Sequence, residues 1–352
     1  MLLSFSLKKM WGLVQRQQLH PAQLVARPWP VNIREEDRHF FAKNKEYQLP
    51  PSWLFKLRHA SLYWDGLVFH GLHLYPETLI VPDPPPHNWR GLLYMYLRMR
   101  RVKLPAGPHY LVAHDAWSAN YYHWLVDALP RLLAVREQLS RFTLLLPANC
   151  TTDFHRQTLR ALGVTTIEYI QDDTRYVVPD LTVPTRLARV ASYNPAVMRE
   201  LRQVLLTAFP PLQHANRGER IYISRARAPR RKALNEDEVT KYLCEQGFAV
   251  VYLEEYSFAE QVSIMAAARY LVSVHGAGLT NMLFMQPDSR VLELQMQDDG
   301  TSHYYYTLSA DLGIEYYYQF CAPNDASLTV QDADLLVDMA ELKRIVARML
   351  AD

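Results

Sequence analysis

Apolar and polar positions repeat at two different periods along this chain. From residue 110 onward, short apolar runs typical of buried strands alternate with longer runs whose apolar positions recur every three or four residues, as in helices. The predicted strands are 110–113, 142–146, 166–170, 176–178, 181–183, 220–224, 248–252, 270–274, 290–294 and 314–318. The predicted helices are 120–133, 151–162, 195–209, 279–284, 332–350 and two that follow Asn235-x-x-Glu238 and Ser257-x-x-Glu260, which have capping-box spacing. This alternation predicts mostly parallel sheets covered on both faces.

The chain is long enough for two domains. Prolines interrupt residues 20–100 so often that only short strands and hairpins are predicted there, with a loop at 83–86. The proline pair at 210–211, followed by a polar run and Gly218, predicts an interdomain linker. We therefore expect an N-terminal α/β domain over 1–210, irregular in its first 100 residues, and a C-terminal Rossmann-like domain over 211–352. The sequence leaves open whether the final helix packs back on the N-terminal domain.

Composition and charge describe an ordinary globular protein. Of 352 residues, 49% are hydrophobic and 21% charged, and the formal net charge of +2 gives no reason to expect nucleic acid as a partner. Three scattered cysteines without a C-x-x-C motif favour a reducing compartment. No apolar run approaches the roughly 20 residues of a membrane span, and the N-terminus does not have the pattern of a secretory signal, so a cytoplasmic location is expected.

The N-terminus predicts an amphipathic helix. This helix either docks on its own domain or lies in a membrane interface, which would make the protein peripheral at the inner membrane face. Its apolar side is formed by Leu3, Leu7, Met10, Trp11 and Val14.

A glycine turn follows the predicted strand 270–274. The residues of this turn are His275, Gly276, Ala277 and Gly278, and a helix is predicted directly after them. A strand, a glycine turn and a helix in that order can direct free backbone N–H groups at a phosphate, because glycine lets the backbone approach an anion closely. The pattern is not G-x-G-x-x-G, and a turn of this kind also serves packing alone.

A basic loop follows the predicted strand 220–224. Residues 217–232 contain seven positive side chains and one acid. The loop could bind nucleic acid, it could be a solvated charged surface, or its guanidiniums could clamp a diphosphate bidentately. The diphosphate interpretation requires that the sheet place Val274 beside Ser224, so that the arginines and the glycine turn face the same anion.

Polar side chains cluster after the predicted strand 110–113. They are His114, Asp115, His123 and Asp127, on a loop and on a helix for which Asn120 or Ser118 is the predicted N-cap. His123 and Asp127 are four residues apart and share a helical face, and Pro130 is expected to kink this helix. The pair can satisfy itself structurally, contribute to a metal site, or act as a general base on an acceptor hydroxyl.

Three motifs in this order resemble glycosyltransferase family 61. They are residues 120–132 (NYYHWLVDALPRL), residues 223–236 (ISR with a later RRK and LNE), and residues 274–294 (VHGAGLTN with a later VLEL). The resemblance covers roughly residues 105–320 and is to bacterial-type members associated with capsular or other surface polysaccharide. It implies a GT-B fold, in which two Rossmann-like domains with mostly parallel sheets face a cleft. It also implies inverting transfer from a nucleotide sugar, usually a UDP-sugar, without an obligatory metal or other cofactor.

The resemblance also implies roles for individual residues. Asp127 is the candidate general base, with His123 close enough to orient it or to substitute for it. The donor diphosphate is expected to bind Arg225, Arg230, Arg231, His275, Gly276, Ala277 and Gly278. The ribose and base are expected to contact Glu293 and Thr280, and the acceptor-side candidates are His114, Asp115 and Asn120. The resemblance implies no metal ligand, and the sequence is compatible with this, since no D-x-D motif follows a strand and Asp332-Ala-Asp334 falls at a predicted helix start.

The sequence therefore predicts a glycosyltransferase that moves a sugar from a nucleotide donor to a glycan, free or lipid-linked. The alternative is a pseudoenzyme or scaffold that binds the nucleotide sugar without turnover. A metal-dependent hydrolase built on His114, His123 and Asp127 is a third class. Tyrosines 304–306 and 316–318 either line an acceptor groove or belong to the core.

Overall fold

The computed structural model describes residues 14–70, 73–75, 78, 97–297 and 303–351. The chain divides into two compact units, one formed by Met1–Gln23 with Leu49–Val190 and the other by Leu24–Gln48 with Ala191–Asp352. The predicted N-terminal helix, apart from Val14, and the predicted loop at 83–86 lie outside the described residues. Val14 is the first residue of a strand, so the helix prediction is wrong at that position.

The first unit contains a mixed nine-stranded sheet. Its strands are β1 Val14–His20, β4 Ser52–Leu62, β5 Val68–His70, β6 His73–Leu74, β7 Arg100–Lys103, β8 His109–Leu111, β9 Phe142–Pro147, β10 Thr166–Ile170 and β11 Thr174–Pro184. The main order is β10-β9-β8-β11-β4-β5-β6, with β1 on β4 and β7 on β11. Strands β7 to β11 pair in parallel, whereas β4 runs antiparallel to β1, β5 and β11.

One long strand at the centre of this sheet was predicted only in pieces. The structure joins the predicted strands 176–178 and 181–183 into β11, which pairs with β4 over Tyr176–Pro184. The length of β11 comes from this pairing, which the apolar pattern alone does not show.

The helices of the first unit connect the parallel strands β8, β9 and β10. A helical segment runs through Tyr121–His123, Trp124–Ala128 and Leu129–Leu133, followed by a 3₁₀ helix Arg136–Arg141 and a helix Asp153–Leu162. Asn120 caps the first segment, as predicted, by accepting a hydrogen bond from the Tyr122 N–H. Gly163 ends the helix Asp153–Leu162 in a left-handed conformation with φ of 84°.

The helix that carries His123 and Asp127 widens to a π-helix at Trp124–Ala128. The Leu129 N–H bonds to the Trp124 carbonyl, five residues back. Pro130 follows immediately and offers no N–H, so the predicted irregularity begins before the proline rather than at it. π-turns of this kind frequently occur at functional sites.

The second unit contains a six-stranded sheet with the order β13-β12-β14-β15-β16-β17. Its strands are β12 Arg220–Ile223, β13 Ala249–Val251, β14 Tyr270–Val274, β15 Arg290–Met296, β16 Glu315–Pro323 and β17 Leu335–Leu336. The first five pair in parallel and β17 is antiparallel. Strands β2 Gln23–Ala26 and β3 Glu46–Leu49 form a separate two-stranded sheet.

The helices of the second unit follow its strands in the expected alternation. They are Arg38–Lys45, Pro195–Ala208, Glu236–Glu245, Phe258–Ala267, Tyr304–Leu312 and Met339–Ala351, with shorter 3₁₀ helices Glu35–Asp37, Gln213–Ala215, Leu253–Glu255 and Ala277–Phe284. Parallel strands connected by helices give the Rossmann-like pattern that the sequence predicts. The core of this sheet includes Tyr222, Val272, Leu292 and Tyr317, and the final helix adds Ile345.

Helix caps in this unit confirm one capping box and correct another. Ser257 and Glu260 form the predicted reciprocal box. Asn235 does not cap its helix. Its side chain instead pairs with the backbone of Val337, donating to the carbonyl at 2.9 Å and accepting from the N–H at 3.0 Å.

The last helix begins later than predicted. It starts at Met339 rather than near Asp332, and β17 occupies part of the predicted helical run. Asp332 and Asp334 instead accept hydrogen bonds from the Arg230 side chain and the Lys232 N–H. Asp332 and Asp334 therefore bind the basic loop instead of starting a helix. The local sequence pattern does not predict this long-range pairing.

Residues 24–48, which the sequence analysis included in the N-terminal domain over 1–210, belong to the second unit and are held there by polar contacts as well as packing. Arg27 donates two hydrogen bonds of 2.8 Å to Asp311, and both side chains are buried. The Val31 N–H bonds to the Tyr316 carbonyl at 2.8 Å. Within the described part of the chain, no helix is both long enough and apolar enough to cross a membrane.

Candidate functional site

The glycine turn and the basic loop meet at the carboxyl edge of the second sheet. Strand β12 pairs with β14 so that Ile223 lies beside Ser273, which places Ser224 next to Val274. The predicted juxtaposition is therefore confirmed. The Arg225 guanidinium lies directly against Gly276, where an added Cβ would come within 2.8 Å of its Cζ. A side chain at position 276 would therefore have to displace the end of the Arg225 side chain.

Arg225 is held by the loop that it begins. Its Nε and Nη2 donate to the carbonyls of Arg231 and Arg230 at 2.9 and 3.0 Å. Arg231 has a left-handed backbone with φ of 59°, a conformation that is strained for a residue with a side chain. The bonds to Arg225 therefore fix a tight loop beside the glycine turn.

Among the described residues, two guanidiniums in this loop form no salt bridge. Within the described residues, neither Arg225 nor Arg231 has a carboxylate at salt-bridge distance, whereas Arg227 pairs with Glu255 and Arg230 with Asp332. Burial, and after it the neighbouring Arg231, lowers the pKa of Arg225. Burial also lowers the pKa of Arg231. Half-buried positive charges that repel each other favour the binding of an anion.

Arg230 differs from Arg225 and Arg231. Its side chain is exposed and its Nη1 lies 2.8 Å from Asp332. The structure therefore favours a surface ion pair over the predicted diphosphate contact.

His275 is positioned by a buried carboxylate. Its Nδ1 lies 2.5 Å from Glu293 Oε1, and Glu293 Oε2 accepts from the Tyr316 hydroxyl at 2.6 Å. The 3₁₀ helix Ala277–Phe284 starts directly after Gly276, so its first N–H groups have no partner inside the helix. The His275 ring and these N–H groups therefore lie on the turn against which Arg225 packs.

Glu293 and Thr280 are fully buried, which corrects their predicted contact with ribose or base. Glu293 has two protein partners and serves to hold His275. Burial, and after it Glu293, raises the pKa of Tyr305, whereas the Thr280 hydroxyl and the two arginines counter this rise. The Tyr305 hydroxyl therefore lies among the groups of this site. Tyrosines 305, 306 and 316–318 are buried, which supports the core interpretation over an acceptor groove.

The first unit contains a second cluster, built around His123 and Asp127. His123 Nδ1 lies 2.8 Å from Asp127 Oδ2, which confirms the predicted pair. Asp127 Oδ1 lies 2.8 Å from Arg186 Nη2. Burial acts to raise the pKa of Asp127, but Arg186 and His123 outweigh burial, and the pKa is lowered. Asp127 is therefore an ionised carboxylate whose two oxygens are both engaged, and His123 Nε2 is the ring nitrogen left for an outside proton.

Arg186 was not predicted, and it links the two acids of the cluster. It bonds to Asp115 through Nη1 and to Asp127 through Nη2. Asp115 is buried and also accepts from the Trp117 N–H and the Ser118 hydroxyl. The available sequence signal was the position of Arg186 just beyond the carboxyl end of β11. Burial and these contacts make Asp115 a structural residue rather than the predicted acceptor contact.

His114 is also structural. Its two ring nitrogens lie 3.0 Å from the carbonyls of Leu145 and Trp64, and burial followed by Arg131 lowers its pKa to about 4. A neutral imidazole can donate to only one of those carbonyls. Asn120 is exposed and caps the helix, so of the three acceptor-side candidates it alone stays accessible. No group of three or more His, Cys, Asp or Glu side chains arranged to hold a metal occurs among the described residues.

The buried histidines predict a pH dependence of stability. Unfolding returns His114 from a pKa of about 4 to the ordinary value near 6.5, so between these values the unfolded chain binds a proton that the folded chain does not. This contribution is fully present above pH 6.5 and is lost as the pH falls towards 4, on the order of 3 kcal/mol in the free energy of unfolding. Burial lowers the pKa of His155 to about 4 as well, so it acts in the same direction.

The measurement is thermal or urea unfolding across this pH range for the wild type and His114→Asn. The variant should lose part of the pH dependence. Identical profiles for His114→Asn and the wild type would contradict the assignment.

The second unit has cations and a glycine turn at the carboxyl edge of a parallel sheet, which is the edge where other α/β proteins bind phosphorylated ligands. Residues 121–292 match the family model described as Glycosyltransferase 61. Over these residues, just under half of the chain, the sequence therefore resembles glycosyltransferase family 61, and the match supports a glycosyltransferase. The family resemblance predicted from the three motifs is confirmed.

The curated relatives share only a short segment with this chain. It is 37% identical over 98 residues to "Protein O-linked-mannose beta-1,4-N-acetylglucosaminyltransferase 2" of Tetraodon nigroviridis, which is 26% of this chain and 17% of that protein. The protein of the same name in Xenopus tropicalis is 34% identical over 108 residues, 29% of this chain and 19% of that protein. The human protein is 33% identical over 106 residues, which is 29% of this chain and 18% of that protein. This chain thus matches about a fifth of the length of these relatives.

Proposed function

We propose that this protein is an inverting glycosyltransferase that moves a sugar from a nucleotide donor, UDP-linked, to a hydroxyl group of a glycan acceptor. The observation that carries the proposal is the pair Arg225 and Arg231, two half-buried guanidiniums beside the glycine turn that form no salt bridge with any carboxylate of the described residues. A nucleotide diphosphate matches this site in charge and in hydrogen-bond geometry. As the bond between the sugar and the diphosphate breaks, negative charge grows on the leaving phosphate, and cations fixed in advance stabilise it. Such a site supplies positive charge from the protein, which supports a reaction without an obligatory metal.

The other half of the reaction requires a base, and the cluster in the first unit has the geometry for one. Asp127 holds His123 through Nδ1 and fixes the orientation of the ring. His123 Nε2 can then take the proton of the acceptor hydroxyl while the acceptor oxygen attacks the anomeric carbon from the face opposite the leaving diphosphate. This assigns the base to His123 and an orienting role to Asp127, because both Asp127 oxygens already have partners.

The names of the relatives suggest the first donor to test. They are described as transferring N-acetylglucosamine to O-linked mannose, so UDP-GlcNAc is the first donor and mannosides are the first acceptors. The GT-B architecture, a role in surface polysaccharide synthesis on free or lipid-linked glycans, and a cytoplasmic location with peripheral membrane contact stay predictions from the sequence.

Thermal stabilisation by nucleotides tests the donor site. UDP or a UDP-sugar at about 100 times its dissociation constant should stabilise the protein by roughly 2.7 kcal/mol, with or without chelator. Arg225→Ala should weaken UDP binding by about 10- to 100-fold, since a hydrogen bond to a charged group contributes about 1.5–3 kcal/mol. Arg227→Ala is the matched control, because that arginine lies in the same loop but pairs with Glu255.

The outcomes separate the competing functions. Stabilisation that requires a divalent metal would contradict metal independence, and the absence of stabilisation by any nucleotide would overturn the donor site. UDP binding without transfer or donor hydrolysis by the wild type would favour a nucleotide-sugar-binding pseudoenzyme.

A further inference from the structure

Trp117 presents an aromatic ring to solvent beside the proposed base. Its ring centroid lies 4.8 Å from that of His123, and 41% of the residue is exposed. Large aromatic side chains bury apolar area efficiently, so an indole left open beside a candidate base is available to a ligand.

Trp117 is exposed on a loop that is tightly held. The Trp117 N–H donates to Asp115 Oδ1 at 3.0 Å, and the Ser118 N–H donates to the Asp115 carbonyl at 3.1 Å. His155 Nε2 lies 3.0 Å from the Ser118 carbonyl, which ties the loop to the helix Asp153–Leu162. A ligand that stacks on this ring therefore meets a platform whose backbone is already ordered, which lowers the entropic cost of binding.

The loop and the base share one anchor. Arg186 bonds to Asp115, which holds the Trp117 backbone, and to Asp127, which holds His123. The Trp117 backbone and the His123 imidazole are thus tied to the same buried charge network. A ring that lies on the indole would have its hydroxyl groups within reach of the His123 side chain.

The other large exposed apolar side chains of the described residues do not combine an aromatic ring with a position beside His123. Among the described residues, the large ones are Leu24, Leu97, Trp117, Tyr169, Leu234, Leu328 and Leu336. Only Trp117 and Tyr169 in this set are aromatic. Tyr169 lies on β10, separated from β8 by β9.

We propose that Trp117 is the stacking platform of an acceptor subsite and binds a pyranose of the acceptor glycan through its apolar C–H face, next to His123. Pyranoses carry C–H groups on one face and hydroxyls at the rim, which suits an indole bordered by a base. The proposal rests on the proposed function, since it assigns the ligand class of the acceptor side of that reaction.

The experiment compares Trp117→Leu and Trp117→Phe with the wild type, and uses Tyr169→Leu as the control. Transfer from UDP-GlcNAc is measured to a panel of p-nitrophenyl glycosides that begins with the mannosides. Trp117→Leu should raise the acceptor KM about tenfold or more, which corresponds to ~1.4 kcal/mol. Trp117→Phe should restore most of the affinity, and Tyr169→Leu should behave like the wild type. Stabilisation by UDP should be the same in all four proteins.

A lower kcat with an unchanged acceptor KM in Trp117→Leu would overturn the proposal, because it would mean that Trp117 only packs on His123. Direct binding of the same glycosides, measured by saturation-transfer NMR, tests the subsite separately from catalysis. If the wild type binds no nucleotide and transfers no sugar, the proposed function fails, and the NMR experiment still decides the subsite. No binding of any glycoside to the wild type, or equal binding to Trp117→Leu, would overturn it.

Discussion

His123→Ala is expected to reduce the rate of sugar transfer by about 10²- to 10⁴-fold, the range that general base catalysis contributes. The physical reason is that Asp127 Oδ2 orients the imidazole through Nδ1, which leaves Nε2 to accept the proton of the acceptor hydroxyl. Stabilisation by UDP should remain unchanged, since the donor groups lie on other residues. The measurement is kcat for transfer together with the UDP dissociation constant.

Chemical rescue distinguishes the two candidate bases. Added imidazole should restore part of the activity of His123→Ala, because the small base can enter the space left by the ring. It should not restore Asp127→Ala, which removes the group that orients the ring and leaves Arg186 with one carboxylate fewer. If His123→Ala retains nearly full activity and Asp127→Asn loses it, Asp127 is the base and the assignment of His123 is wrong.

Arg186→Met is expected to lower the free energy of unfolding by about 3–5 kcal/mol, the cost of removing one partner from a buried ion pair. Arg186 lies between Asp115 and Asp127, and all three side chains are at most 9% exposed. Its removal leaves two buried carboxylates without their shared cation. Urea unfolding of the variant and the wild type measures the difference.

The control for this prediction is Arg230→Met, which breaks an exposed pair with Asp332 and should change stability by about 0–1 kcal/mol. Adding Asp115→Asn to Arg186→Met should recover part of the loss, because one uncompensated charge is removed. A loss below about 1 kcal/mol for Arg186→Met would show that water or the acids themselves relieve the buried charge.

The sequence was most informative where function depends on local order. The strand, glycine turn and helix at 270–284, the basic loop after β12, and the i, i+4 pair His123 and Asp127 are each continuous in the chain, so their spacing was readable. The parallel alternation of strands and helices in the second unit followed from the same periodicity. The three motifs that carry the family resemblance are therefore each continuous in the sequence.

Long-range contacts decided which of these residues can act on a ligand. Arg225 and Arg230 look equivalent in the sequence, but one packs on Gly276 and the other pairs with Asp332, about a hundred positions away. Glu293 looked like a ligand contact and is buried behind His275. The sequence around an arginine does not show which residue it pairs with, because a carboxylate from any part of the chain can neutralise it.

Residues 24–48 and Arg186 show the same limit. Nothing in the local pattern assigns Arg27 to Asp311 or Arg186 to two acids, because those bonds depend on the packed position of distant segments. Apolar periodicity determines which elements form and which side faces a core. The partners of buried charges, and with them the roles of Asp115, His123 and Asp127, are decided only when the tertiary structure removes water and brings those charges together.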